Sequence, residues 1–221
     1  MIIILLGPPG AGKGIQAKLL SDQYQLTILS IGELLRRAVN KKSATGLKVK
    51  ETINNGRLVP DNIILDLVES NFSNNIKSQN CILDGFPRTI YQAKKFHLFC
   101  KKNNIGSPYI IVLDLQEEEI IKRLSARIFC SHCNQSYNLL TSPMKVYNTC
   151  DICNSISFYK REDDKKKSVK KRLIDYYERT KLLITYYYTN INNNNYFYLK
   201  ADMSIKDINQ NIISFLNTRA L

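Results

Sequence analysis

The stretch that decides the fold is "MIIILLGPPGAGKG", residues 1–14. Its apolar run from Ile2 to Leu6 is continuous rather than alternating, as in a strand buried on both faces of a parallel sheet. "GPPGAGKG" (7–14) then turns the chain, and a helical pattern carrying Ala17, Leu19 and Leu20 begins at Lys13. Strand, glycine-rich turn and helix in that order are the context a phosphate-binding loop requires. Gly7, Gly10, Gly12 and Gly14 let backbone amides turn inward around an anion. Lys13 adds a point charge and the helix N-terminus its dipole. A Ser or Thr usually follows the lysine to ligate magnesium. Here Gly14 and Ile15 stand there instead. Mg2+ therefore has to be held by phosphates and waters, a mode it tolerates well.

Working outward, apolar runs alternate with helical patterns. Strands are expected at 26–29, 81–84, 109–115 and 196–199. Helices are expected at about 32–41, 46–55, 61–73, 89–103, 117–127, 165–191 and 205–218. The long helix over 165–191 has Val169, Leu173, Tyr176, Tyr177 and Thr180 on one stripe. Such alternation predicts a five-stranded parallel sheet with helices on both faces, an α/β fold. Ligands of such sheets sit at the carboxyl ends of the strands. At the end of the third, "DGFPRT" (84–89) sets Asp84 beside the phosphate loop and projects Arg88 toward the same cleft.

The 221 residues suit one domain with an insertion. No basic region precedes the first apolar run, so it reads as a strand and not a leader. No run is long enough to cross a bilayer, and a cytoplasmic protein is expected. The formal net charge of +13 fits nucleic acid, anionic lipid or a small polyanionic substrate. Lysine-rich stretches such as "REDDKKKSVKKR" account for most of it as solvated helix faces. Four of six cysteines form two Cys-x-x-Cys pairs, Cys130/Cys133 and Cys150/Cys153, sixteen residues apart. In a reducing compartment such pairs read as a closed tetrahedral zinc site with no position left for a catalytic water. Cys81 reads as a core residue, and His132 as part of the first knuckle turn.

"GPPGAGKG", "GELLRRAV", "GRLVPD", "LDGFPRTIYQA", "RLSARI" and "REDDKKKSVKKRL" resemble, in order and spacing, the adenylate kinase family, in its long form with a zinc-stapled lid. The resemblance runs from Met1 to about Asp202. It implies a core of residues 1–29, 60–125 and 164–221, an AMP-binding insert over 30–59 and a lid over 126–163. It implies ATP, AMP and ADP as ligands, Mg2+ with ATP, structural Zn2+, and a monomer without nucleic-acid or membrane partners. By this similarity Gly10, Ala11, Gly12, Lys13, Gly14 and Ile15 cradle ATP phosphates. Arg123 and Arg127 reach those phosphates from the helix before the lid, Ser136 and Tyr137 cover the adenine or ribose, and Ile205 falls near the base. Ile31, Arg36, Arg57, Leu58, Val59, Gly85, Phe86, Pro87, Arg88 and Gln92 line the AMP site. Arg161 and Arg172 clamp phosphates on closure. Lys13, Asp84, Arg88, Arg123, Arg161 and Arg172 carry the chemistry, with Cys130, Cys133, Cys150 and Cys153 on the metal.

Ile15 and Ile31 stand where the family usually has threonine. Loss of the hydroxyl at Ile31 weakens contact with the base, while Gln92 can still read an adenine edge. Two other readings stay open on the residues. One is a P-loop ATPase carrying a nucleic-acid-binding zinc ribbon, with Tyr137, Tyr147 and Phe158 to stack bases. The other keeps the fold and takes CMP, UMP or GMP as acceptor.

Overall fold

A computed structural model describes residues 1–75 and 80–219. Five parallel strands lie in the order β2-β3-β1-β4-β8: β1 (Ile2–Leu6), β2 (Thr27–Ser30), β3 (Cys81–Asp84), β4 (Tyr109–Asp114) and β8 (Tyr196–Lys200). β1 is central, pairing Ile4 with Leu83 on one side and with Ile110 on the other. Alternate residues of β1 face opposite layers. Ile2, Ile4 and Leu6 enter a core with Leu83, Phe86, Phe96 and Val112, whereas Ile3 and Leu5 enter another with Leu20, Ile111, Leu113 and Ile212. Both faces are covered, which is why the run carries no polar alternation.

The helices are α1 (Lys13–Tyr24), α2 (Ile31–Asn40), α3 (Ala44–Asn54), α4 (Asp61–Asn75), α5 (Ile90–Lys102), α6 (Glu117–Ser125), α7 (Lys166–Asp175), α8 (Leu182–Asn190) and α9 (Ile205–Asn217). Strand order reverses at β1, whose neighbours β3 and β4 arrive by crossovers to opposite sides. That is the switch point where an open parallel sheet offers a crevice. The phosphate loop lies there. Gly10 and Gly12 hold φ of 85° and 89°, and a Cβ on Gly7 would come within 2.2 Å of the Leu113 carbonyl oxygen. Only glycine fits these positions.

Two expectations need correction. The helix before the Cys-rich segment ends at Ser125, and Arg127 opens strand β5 (Arg127–Cys130) instead. β5 pairs antiparallel with β6 (Ser136–Asn138) and β7 (Phe158–Tyr159) in a separate three-stranded sheet. The expected helix over 165–191 is interrupted by a π turn at Tyr176–Thr180, where the Lys181 N–H donates to the Tyr176 carbonyl at 2.7 Å. The extra residue resets the buried stripe, which continues as Leu183 and Tyr187. No helix among the described residues is long and apolar enough to cross a membrane.

Candidate active site

A cleft of about 920 Å³ opens at the carboxyl edge of the sheet. The phosphate loop forms its floor. Lys13 is half-buried and donates to the carbonyls of Gly7 and Pro8, both at 2.7 Å. Burial pushes its ammonium down to about 7; Asp84 opposes that, and Arg88, Arg172 and Arg127 add to it. Asp84 ends β3 and accepts from the Ser30 hydroxyl at 3.2 Å. Beyond it the Phe86–Pro87 peptide is cis, and the Arg88 Nε–H donates back to the Gly85 carbonyl at 3.0 Å.

Arginines from four elements converge above this floor. Arg36 comes from α2, Arg123 from α6, Arg127 from β5 and Arg172 from α7, while Arg88 and Arg161 come from connecting segments. Arg127 grips Asp164 with Nε at 2.8 Å and with Nη2. Arg172 pairs with Asp163 at 3.2 Å and Asp164 at 2.9 Å, and Arg123 with Glu119 at 3.1 Å. Arg161 lies 3.6 Å over the centre of the Phe129 ring, with its nearest carboxylate, Glu33, at 3.9 Å. Burial, then the neighbouring Arg36 and Arg127, lower its guanidinium to about 10. The Nε–H groups of Arg36 and Arg161 are buried without a hydrogen-bond partner among the described residues. Buried donors of this kind are costly unless an anion meets them.

The residues expected at the AMP site gather in an adjoining pocket. Ile31, Leu35, Ile53, Val59 and Ile64 wall it, with Arg57, Leu58, Gly85, Arg88 and Gln92 around them. Ile31 is fully packed at 2% exposure and walls this pocket without a hydroxyl. The Leu58 N–H donates to Asp175 at 3.0 Å. Pro87 lines the larger cleft, whereas Phe86 points away from both and stacks edge-on to Phe96 in the core. Gly10 to Ile15, Ser136 and Ile205 line the large cleft, and the Ile205 carbonyl accepts from Gln16 Nε2 at 2.9 Å.

Tyr137, beside Ser136, also lines the large cleft. Its ring packs edge-on to Phe158, and its hydroxyl lies 3.3 Å from Cys150 Sγ while accepting from the Asp151 N–H at 2.8 Å. The side chain supports the sulfur cluster.

The sulfurs of Cys130, Cys133, Cys150 and Cys153 lie within 4.8 Å of one another, with two pairs at 3.5 Å. A tetrahedral zinc with bonds of about 2.3 Å separates its sulfurs by about 3.8 Å. The donor set therefore fits that ion, and Tyr137 and backbone amides are placed to support the thiolates. His132 is exposed and outside the cluster.

Sequence reasoning missed Glu33, Asp163, Asp164 and Phe129. The acids sit in charged runs that read as solvated surface; only their adjacency to arginines hinted otherwise. Phe129 gave no signal.

Comparison with known proteins agrees with this geometry. The family model described as adenylate kinase matches residues 5–192. An adenylate kinase of Lactobacillus helveticus is 43% identical over 160 residues, covering 72% of this chain and 73% of that one. One from Thermosipho africanus is 41% identical over 162 residues, 73% and 75% respectively. One from Clostridium kluyveri is 39% identical over 155 residues, 70% and 71%. With the phosphate loop, the ring of arginines and these matches in place, the chain belongs to the adenylate kinase family, enzymes that transfer a phosphoryl group between nucleotides.

Proposed function

We propose that this cleft binds Mg-ATP on the phosphate loop and AMP in the adjoining pocket, and reversibly transfers the γ-phosphoryl group to give two ADP. The observation that carries the reading is the pair of buried, unpartnered guanidinium Nε–H groups of Arg36 and Arg161, neighbours in the lining of one cavity.

The AMP phosphate is mostly a dianion at pH 7, so its attacking oxygen needs no general base. Neither His97 nor His132 lines the cleft. What the reaction needs is neutralisation and in-line alignment of two polyanions. Lys13 leaves its loop carbonyls for the ATP phosphates. Arg88 and Arg36 hold the AMP phosphate, Arg123 and Arg127 the ATP phosphates, and Arg161 and Arg172 the group in transit. Guanidinium forks suit phosphate oxygens bidentately. Asp163, Asp164 and Glu33 hold these arginines in place before substrate arrives. Asp84, which accepts from Ser30, would hold Mg2+ through its waters when the ion arrives with ATP phosphates, where it would neutralise their charge. Zinc on the four cysteines serves as a staple that lets residues 126–163 move as one body. Their closure over 30–59 and the core excludes water from the reacting phosphate. Every residue needed lies on one chain, so a monomer suffices.

An acceptor panel tests this. Purified protein with Mg-ATP and AMP, CMP, UMP or GMP is expected to form diphosphate fastest with AMP. No turnover with any acceptor overturns the phosphotransfer reading, and a preference for CMP or UMP overturns the AMP assignment.

A further inference from the structure

The pocket beside Arg88 holds a hydrogen-bond relay whose members come from separate elements. Gln92, in the first turn of α5, is 2% exposed. Its Oε1 accepts from the Arg88 backbone N–H at 2.7 Å. Its Nε2 donates to Asp61 Oδ1 at 2.8 Å. The other oxygen, Asp61 Oδ2, accepts from the Thr89 hydroxyl at 3.0 Å, and that hydroxyl caps α5 by accepting from the Gln92 N–H at 3.2 Å.

A backbone N–H can only donate and an ionised carboxylate can only accept, so the two ends of the Gln92 amide are assigned without ambiguity. The carboxamide is pinned at both ends. One N–H of Nε2 is left without a partner among the described residues, and beside it one lone pair of Oε1, so among the apolar walls of Ile31, Leu35, Ile53, Val59 and Ile64 the pinned amide presents a donor and an acceptor at fixed places. Such a box satisfies a ring nitrogen that accepts. A base with a ring N–H at the same place meets donor against donor, and both groups go unpaired in an apolar pocket.

We propose that Asp61 is the specificity-determining positioning residue of this pocket: by fixing the Nε2 end of Gln92 it makes the site read an acceptor ring nitrogen, as in adenine, and reject the ring N–H of guanine. Asp61 touches no substrate atom; it acts through Gln92. With Ile31 supplying no hydroxyl, discrimination rests on this one oriented amide. The inference depends on the AMP-site reading above.

The test is a double-mutant cycle read as kcat/KM for AMP and for GMP, with KM for ATP and melting temperature alongside. D61A is expected to lower kcat/KM for AMP about tenfold and to shrink the AMP-over-GMP preference by a similar factor, with KM for ATP unchanged. Q92L is expected to do the same. In the Q92L background D61A should cost nothing further, because a residue that acts only through Gln92 has nothing left to position. D61N keeps one acceptor for Gln92 Nε2 and is expected to recover most of the preference. Additive losses in the cycle, or a D61A defect equal for AMP and GMP, would overturn the proposal and leave Asp61 a merely structural residue. Should D61A not fold, an unchanged AMP-over-GMP ratio in Q92L, or a ratio in D61N as low as that in Q92L, overturns it equally. Absence of AMP turnover in the unmodified protein would instead overturn the underlying reading.

Discussion

Lys13 shows how a residue can be prepared for a ligand that has not yet arrived. Its ammonium donates to two carbonyls of its own loop, yet burial among arginines brings it down to about 7. The unfolded chain holds that proton up to the ordinary lysine value, 10.5. Between about pH 7 and 10.5 the unfolded state therefore binds more protons, so this group makes the empty fold gain stability as pH rises through that window. A polyphosphate reverses the local balance by favouring the charged form. Mg-ATP binding at pH 7.5 should thus be accompanied by net proton uptake at Lys13. Binding heats compared in buffers of different ionisation enthalpy measure this, and K13M should abolish the uptake. An unchanged apparent enthalpy across buffers would count against the assignment. Arg161 is prepared differently, chiefly by an aromatic face with Glu33 only at 3.9 Å, since its guanidinium lies over Phe129 while its Nε–H has no partner among the described residues.

At the scale of elements, the Cys-rich segment cannot hold itself together by apolar burial. Its core comprises Cys130, Tyr137 and Cys150, with Ile128, Met144 and Phe158 packed around them. A cluster that small needs a staple. One zinc per chain is expected by elemental analysis. C150S should lose it and melt several degrees lower, because a structural zinc contributes folding energy directly; full zinc content in C150S would count against a four-sulfur site. The strands of this segment were illegible in the sequence, being four, three and two residues long, too short for any alternation to register. The π turn was illegible for another reason. It changes no composition, only the phase, and brings the Thr180 hydroxyl to the Arg88 carbonyl at 3.1 Å. By contrast, "IIILL", the glycine loop and the cysteine spacing could be read directly, because strand burial, positive φ and metal geometry each constrain residue type. The positive arm of the site was visible as arginines in motifs. Its negative arm was not, because Asp163 and Asp164 sit beside a lysine run that disguises them as surface.

At the scale of the whole molecule, most of the formal charge of +13 lies on solvated helix faces, yet at least six cationic side chains face one cleft. Folding thus assembles mutual repulsion that only a handful of acids relieve. Relaxing it should stabilise the chain. R36M removes a buried donor without a partner and a like charge beside Arg88, Arg161 and Arg172. Its own pair with Glu33, half-exposed at 3.4 Å, contributes little. We expect R36M to melt about 2–4 °C higher and to lose about a hundredfold in kcat/KM for AMP. A lower melting point would show that Arg36 earns its place structurally. The unpartnered Nε–H groups have a consequence for the protein in a cell. Because nucleotide binding alone satisfies them, the folded fraction becomes linked to nucleotide concentration, gaining RT ln(1 + [L]/Kd) in free energy. A chain in a nucleotide-depleted compartment is then the first to be exposed to proteases, and its abundance becomes a slow record of the metabolite it processes.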